Sequence, residues 1–461
     1  AICTAIHYCT ANPAAVHMAI FVLSTLLVFG AHYLMSRVAL VVEIPLSVFV
    51  LVSLPLFLVN LSHFHTGVEN TLVLFLVALL LWLHYQSRIA GRMWFAAVGI
   101  VLILCYFSRL DSILLIAVYL PWLLVRHFAE QRVYAVACCI LVGSAVLAHW
   151  AIMYAFFDTI FPTSQIAIKR FLAPSEQTTL LEAFAPYNHF LSIRAREIVA
   201  VSGWSLAQVA PTVDRYIGLL VPLTSIAALV SIARRDLRLR WPILLVGLGY
   251  VIQLIYYAVE MFGWIQVWYD TLWFVTMGFA ASFIVAQLLR NPASHGMTVA
   301  VYLISVLIVM TNAKRTWVPW TAIADECQLL RDYDRDGHVL VGWTPDRATY
   351  HSGVAIRHLE GLVNGYDYIW SYVLPVRIGQ YLRDVRATHY VVSNDWPLPA
   401  SMPCYDSIIP GGSGSDRLYG VYDAHNSYIA VYRIVYDGED VSARIDARCS
   451  PGDGQTPSAV P

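Results

Sequence analysis

Leu72-Val73-Leu74-Phe75-Leu76-Val77-Ala78-Leu79-Leu80-Leu81-Trp82-Leu83 is an unbroken apolar run, opened by Glu69 and closed by Arg88 and Arg92. Roughly 20 apolar residues carry a helix across a bilayer core, so residues 69 to 86 read as one membrane span that ends on a basic turn. The same reading holds outward in both directions, near residues 14–35, 38–61, 93–107, 112–127, 132–156, 215–233, 241–260, 268–289 and 296–312, for about ten spans. Arginines fall on every second turn: Arg37, Arg88 with Arg92, Arg126 with Arg132, the group Arg234, Arg235, Arg238 and Arg240, and Arg290. The positive-inside rule puts those turns in the cytoplasm. Residues 63–71, 108–112, 157–214 and 262–268, and everything after Asn312, are then expected on the outer face.

Composition agrees. The 461 residues are 59% hydrophobic and 13% charged, with a net charge of −1, whereas a soluble domain is roughly 45–50% apolar. An ordinary soluble enzyme is excluded, and no nucleic-acid partner is expected. The chain begins at Ala1 without a basic segment ahead of an apolar one, so no cleavable signal peptide is visible. Counting back from Arg37 puts residue 1 outside. That position is expected either of an N-terminally incomplete chain with a further span upstream or of a true outer N-terminus.

The expected fold is a polytopic α-helical membrane protein of about ten spans with a C-terminal soluble α/β domain. Residues 1–313 form the membrane part, and within it residues 157–214 are an outward loop too long to be idle. Apolar residues at Ile168, Phe171 and Leu172, then Leu180, Leu181 and Phe184, suggest short helices lying on the membrane surface. Residues 314–449 read as the α/β domain, with strands at His338–Trp343, Thr388–Ser393 and Tyr428–Tyr436 and a helix at Ile378–Val385. A Gly/Pro/Ser tail, 450–461, is expected to be disordered. Cys105, Cys138 and Cys139 fall within spans as packing residues. Cys3, Cys9, Cys327, Cys404 and Cys449 fall outside, with Cys404 and Cys449 the best-placed candidates for a disulfide.

Four outward stretches concentrate polar chemistry. His63, His65 and Glu69 gather at one span entrance, where Glu69 reads either as a functional acid or as a carboxylate favoured by the helix dipole. Two histidines without a third ligand are a poor metal set, so no metal site is assigned, although a divalent cation remains compatible with the chemistry. In Ser108-Arg109-Leu110-Asp111-Ser112 an arginine breaks the sidedness pattern beside an acid. That pair is either a structural ion pair or functional, because ionisable groups at membrane depth are costly. Residues Phe156 to Ser164, with Asp158 and Pro162, lead to Lys169 and Arg170, which either snorkel to headgroups or hold a phosphate. Last come Glu260, Trp264, Trp268, Tyr269 and Asp270, where an interfacial aromatic belt accounts for the tryptophans.

These stretches together resemble a family. Thr66-Gly67-Val68-Glu69-Asn70-Thr71 resembles the Gly-Met-Glu-Thr motif of bacterial GT-C glycosyltransferases that use polyprenyl-phosphate sugars, and Ser108-Arg109-Leu110-Asp111 their Ser-Arg-Pro-Glu element. Phe156 to Lys169 is similar to their outer-loop pattern of an aromatic pair, Pro, Asn-Thr and then Lys. Leu359-Glu360-Gly361-Leu362-Val363-Asn364 resembles an element of the branch containing mycobacterial terminal arabinofuranosyltransferases. This chain departs from the pattern in having Asp158 where the family usually has Gly, Thr163-Ser164 for Asn-Thr, and Lys169 about one position off the usual spacing.

The resemblance implies transfer of a sugar from a polyprenyl-phosphate donor to a cell-envelope glycan, lipid or protein acceptor, at the outer face of the bacterial cytoplasmic membrane and in contact with its lipids. It places Asp158, Glu69 and Asp111 as candidate catalytic carboxylates. Lys169, Arg170, Arg109, His65 and Tyr269 become candidates for binding the lipid phosphate and substrate. It also implies a general base in a first outer loop, ahead of Ala1. The competing readings are a transporter or flippase for a lipid-linked saccharide, which needs polar groups at mid-membrane depth such as Glu43, a polysaccharide polymerase or ligase of another family, and a non-catalytic membrane scaffold.

Overall fold

The computed structural model describes residues 13–59, 68–86, 91–160, 237–260, 271–288, 327–342, 352–359, 377–393, 404–405, 419–425 and 429–436. The described chain is mostly helical and falls into two compact units, one holding the helices up to Leu288 and the other the residues from Cys327 onward.

In the first unit, α1 (Pro13–Val41), α2 (Leu46–Val59), α3 (Val68–Tyr85) and α4 (Arg92–Ser108) are followed by a one-turn 3-10 segment, Leu110–Ser112. Then come α5 (Ile113–Phe157), α6 (Leu237–Glu260) and α7 (Thr271–Leu288). Two stretches, Met18–Val41 and Leu110–Phe157, are long and apolar enough to cross a membrane, and shorter apolar helices lie at Glu69–Tyr85, Arg92–Ser108, Trp241–Gln253 and Phe274–Ala286. Several helices carry large apolar side chains outward. Met18, Val22, Leu26, Tyr33 and Leu40 on α1, and Val133, Val136, Ile140, Leu147 and Tyr154 on α5, are all exposed. Spaced by three, four or seven residues, they make continuous apolar stripes, which suit a helix solvated by lipid rather than by water.

The turn expected at Arg37 lies further on. α1 runs through Arg37 to Val41, and the chain reverses at Val42 and Glu43, where Ile44 N–H donates to the Ala39 carbonyl at 2.9 Å. Arginine does not break a helix, whereas Pro45 disfavours helical backbone in the residue before it. Charge therefore marks the side of a turn and not its position. Glu43, expected within the second span, is instead exposed in this turn at φ 64°.

α5 would measure about 68 Å if straight, roughly twice a bilayer core. It is not straight. Gln131 leaves helical geometry at φ −140°, ψ 34°, and Cys139 Sγ lies 3.9 Å from the Leu120 carbonyl, so the two arms fold back beside each other. α4 runs alongside the second arm: Phe95 meets Tyr134, Gly99 meets Leu141, and Tyr106 Oη lies 2.8 Å from His149 Nδ1. α3 and α4 are antiparallel, since Trp94 Nε1 donates to the Leu83 carbonyl at 2.7 Å while Arg109 bonds to Asn70. The starts of α4 and of the second arm of α5, with the ends of α3 and of the first arm, thus lie together. The opposite ends collect Asn70, Arg109 and Asp111.

The second unit is a six-stranded sheet of order β2-β1-β3-β6-β5-β4. Its strands are β1 (Leu340–Gly342), β2 (Arg357–His358), β3 (His389–Ser393), β4 (Cys404–Tyr405), β5 (Tyr419–His425) and β6 (Ile429–Val435). β1 is parallel to β2 and β3, and β3 to β6, β6 to β5 and β5 to β4 are antiparallel. Alternation along the strands fills both faces. Val341, Tyr390, Ala430, Tyr432 and Ile434 pack against α9 (Ile378–Asp384). Leu340, Val391, Ile429 and Val431 pack against α8 (Gln328–Arg335) and the buried side chain of Cys327. Helices thus pack on both faces of this sheet, one part of which is parallel.

Candidate functional site

α4 ends where Arg109 turns to extended backbone (φ −153°, ψ 120°), with its N–H still donating to the Cys105 carbonyl at 3.0 Å. The one-turn 3-10 segment that follows brings Asp111 back under Arg109. The guanidinium grips both carboxylate oxygens, Nε to Oδ1 at 3.0 Å and Nη2 to Oδ2 at 2.9 Å, and Nη1 donates to Asn70 Oδ1 on α3. From α6, Gln253 Nε2 donates to Asp111 Oδ2 at 2.7 Å. Both charges are largely withdrawn from solvent, with side chains 10% and 11% exposed, and Asn70 and Gln253 are 2% and 6% exposed.

A buried charge is tolerable only when paired and hydrogen-bonded, because its desolvation otherwise costs several kcal/mol. Here the fork of an arginine matches a carboxylate in bidentate geometry, and two amides complete the set. Four segments of chain meet in this network: α3, the end of α4, the start of α5 and α6. Gly249 makes the meeting possible. It sits one turn before Gln253, and a Cβ there would lie 3.2 Å from the Leu115 Cα, so the absence of a side chain lets α6 approach α5 closely enough for Gln253 to reach Asp111.

The structure brings Arg109 and Asp111 together as an ion pair. Glu69 stands beside Asn70 in the first turn of α3 with its side chain exposed, where the helix dipole favours an acid. Asp158 is exposed at the end of α5 and adopts left-handed backbone, φ 52° and ψ 21°, donating its N–H to the Tyr154 carbonyl at 3.0 Å. Glycine is the usual residue for such a helix terminus, and aspartate is among the few others that accept it. His65, Lys169, Arg170 and Tyr269 lie outside the described residues, as do residues 161–236, the tail and Cys449. Among the described residues, no three or more histidine, cysteine, aspartate or glutamate side chains are placed to hold a metal.

Sequence reasoning does not reach Asn70 and Gln253. Asn70 lies inside the motif at 66–71, where nothing in the residue pattern gives it a role. Gln253 carried a signal of its own, as an amide in the apolar run from Trp241 to Tyr257, where a polar group needs a partner.

No family model, curated protein or solved structure matches this chain. The class is therefore set by the molecule itself: a bundle of apolar helices, some of membrane-crossing length, with a buried charged network at one end, and a separate unit built on a mixed sheet.

Proposed function

We propose that this protein is an integral-membrane glycosyltransferase that moves a sugar from a polyprenyl-phosphate donor to a cell-envelope acceptor on the outer face of the cytoplasmic membrane. The observation that carries this reading is the Asn70–Arg109–Asp111–Gln253 network. It is built on two of the motif segments that resemble GT-C enzymes and gathers them at one end of the helices. In this reading that end faces outward and the end carrying Arg92, Arg126 and Arg132 faces the cytoplasm. The donor's hydrocarbon tail then stays in the bilayer while its phosphate reaches the polar end.

In the reaction, an acceptor hydroxyl oxygen forms a bond to the anomeric carbon, the bond from that carbon to the phosphate oxygen breaks, and the hydroxyl proton passes to a carboxylate. The leaving polyprenyl phosphate goes from one negative charge to two, so a fixed cation binds the transition state more tightly than the ground state. Arg109 is engaged by Asp111 and Asn70, which makes it part of the framework. The leaving charge is therefore assigned to Lys169, with Arg170 beside it in sequence. Asp111 accepts bonds on both oxygens and so belongs to the framework, while Glu69, whose side chain is exposed next to Asn70, stays a candidate carboxylate at this end of the helices.

The transporter reading loses its main support, because Glu43 sits in an exposed turn and not at mid-depth of a helix. The test of the enzyme reading is direct. Purified protein in lipid vesicles, given a panel of polyprenyl-phosphate sugars, is expected to release polyprenyl phosphate, and Lys169→Ala is expected to lower turnover at least about tenfold, or about 1.4 kcal/mol. Unchanged turnover in that variant would remove Lys169 from the mechanism, and no release from any donor would end the glycosyltransferase reading.

A further inference from the structure

Gln253 does more than complete the ion pair. A carboxylate oxygen can only accept, so the group facing Asp111 Oδ2 at 2.7 Å must be the side-chain N–H2, and this fixes which way the amide is turned. Its other atom, Oε1, is consequently directed away from Asp111. Oε1 is buried and has no hydrogen-bond partner among the described residues, on a residue that is 6% exposed. A buried amide oxygen left without a donor is unfavourable, and a functional role or a molecule occupying the space beside it is among the reasons such a group is kept.

Gln253 is held in this posture with some precision. Gly249 seats α6 against the backbone of α5 one turn below, and Tyr250, 1% exposed, locks the same turn into the core. The amide cannot turn Oε1 toward Asp111 in place of its N–H2 without setting two acceptors against each other. Because the Arg109–Asp111 pair is internally neutral, what the site offers at Oε1 is a neutral acceptor, which suits a hydroxyl better than a phosphate.

We propose that Gln253 Oε1 accepts a hydrogen bond from a hydroxyl of the sugar handled at this site, with the amide linking that hydroxyl to the Arg109–Asp111 pair. This rests on the glycosyltransferase reading above and names a substrate-binding residue within it. The hydroxyl belongs either to the donor sugar or to the acceptor, two sources of one chemistry. Recognition of this kind discriminates against an analogue lacking the hydroxyl, because the buried acceptor is then left unpaired.

The experiment uses the full chain in lipid vesicles with polyprenyl-phosphate arabinofuranose, or with whichever donor of the panel the wild type turns over. Donor and acceptor analogues each lacking one hydroxyl are compared with the parent compounds. In the wild type, one analogue is expected to lose about tenfold in kcat/KM, chiefly through KM. In Gln253→Met the parent compound is expected to fall to the level of that analogue, and the analogue itself to be unaffected by the substitution. Whether the sensitive analogue is of the donor or of the acceptor identifies which sugar is held. Gln253→Asn, with the amide drawn back by one methylene, is the second variant should Gln253→Met fail to fold, and it is expected to lose the same discrimination. If every analogue penalty is as large in the variants as in the wild type, Gln253 only braces Asp111 or holds a water, and the inference falls while the enzyme reading stands. If the wild type turns over no donor at all, both fall together.

Discussion

The two ends of the helical unit bury polar groups in opposite ways. At one end, Arg109 and Asp111 are charged, and Asn70 and Gln253 close around them. At the other, His84, Trp94, Trp122 and His127 form a neutral aromatic cluster. His84 lies 5.0 Å from Trp122 and Trp94 lies 5.4 Å from His127, ring centre to ring centre. There His84 Nδ1 and His127 Nε2 are buried without a hydrogen-bond partner among the described residues. The difference is one of cost. An unpaired charge at such depth is prohibitive, so both charges at that end are paired and hydrogen-bonded, whereas a neutral atom lacking a partner, a ring nitrogen here, costs about 1–3 kcal/mol and is tolerated within well-packed rings.

The comparison breaks first at the charged end. Arg109→Met leaves Asp111 buried opposite an apolar side chain, and the expected loss is about 3–5 kcal/mol of unfolding free energy. Equilibrium unfolding in mixed micelles measures it. Adding Asp111→Leu to Arg109→Met is expected to restore most of the loss while abolishing transfer, because the pair then has no charge to strand. If Arg109→Met alone costs under about 1 kcal/mol, the pair is solvated as surface pairs are, and the contrast between the two ends disappears.

A smaller effect tests the close approach that lets α6 complete the network. Gly249→Val puts new carbon atoms against Leu115, whose Cα would be 3.2 Å from the added Cβ and whose Cδ1 3.1 Å. Overpacking of this kind costs about 1–3 kcal/mol. The same variant is expected to weaken transfer, since Gln253 is displaced from Asp111. A stable and fully active Gly249→Val protein would mean that the helices separate without consequence, and that Gln253 is not needed where it stands.

Much of this was legible in the sequence, for identifiable reasons. Apolar length locates helices, and the break between the arms of α5 falls at Gln131, between the charged residues Arg126 and Arg132 that mark it. Alternating β-branched and aromatic residues give β3 and β6 to within one residue at each end, and β1 as the inner part of a longer expected run. The turn after α1 lies beyond Arg37, because arginine marks the side of a turn while its position is set by Pro45 and a left-handed Glu43. At the candidate site, Arg109 and Asp111 announced themselves as charges out of place. Gln253 did not, because its role depends on α6 lying against α5, a contact made 142 residues along the chain. Asp158 illustrates the converse. It departs from the glycine usual in the resembling family, yet its φ of 52° is one that glycine favours, so a backbone requirement accounts for the position without any appeal to its carboxylate.

The smallest effect is expected at the neutral end, and its sign matters more than its size. His84→Phe keeps a ring against Tyr85, Trp94 and Trp122 and removes a buried nitrogen that bonds to nothing. Replacing an unsatisfied polar atom with carbon of similar shape is near neutral or favourable, so the change is expected to lie between zero and about 1 kcal/mol of added stability. A loss greater than about 1 kcal/mol would show that the nitrogen has a partner after all, such as a trapped water shared with His127. In that case both ends of the helices bury connected polar networks, and the charged one is distinguished by its charge alone.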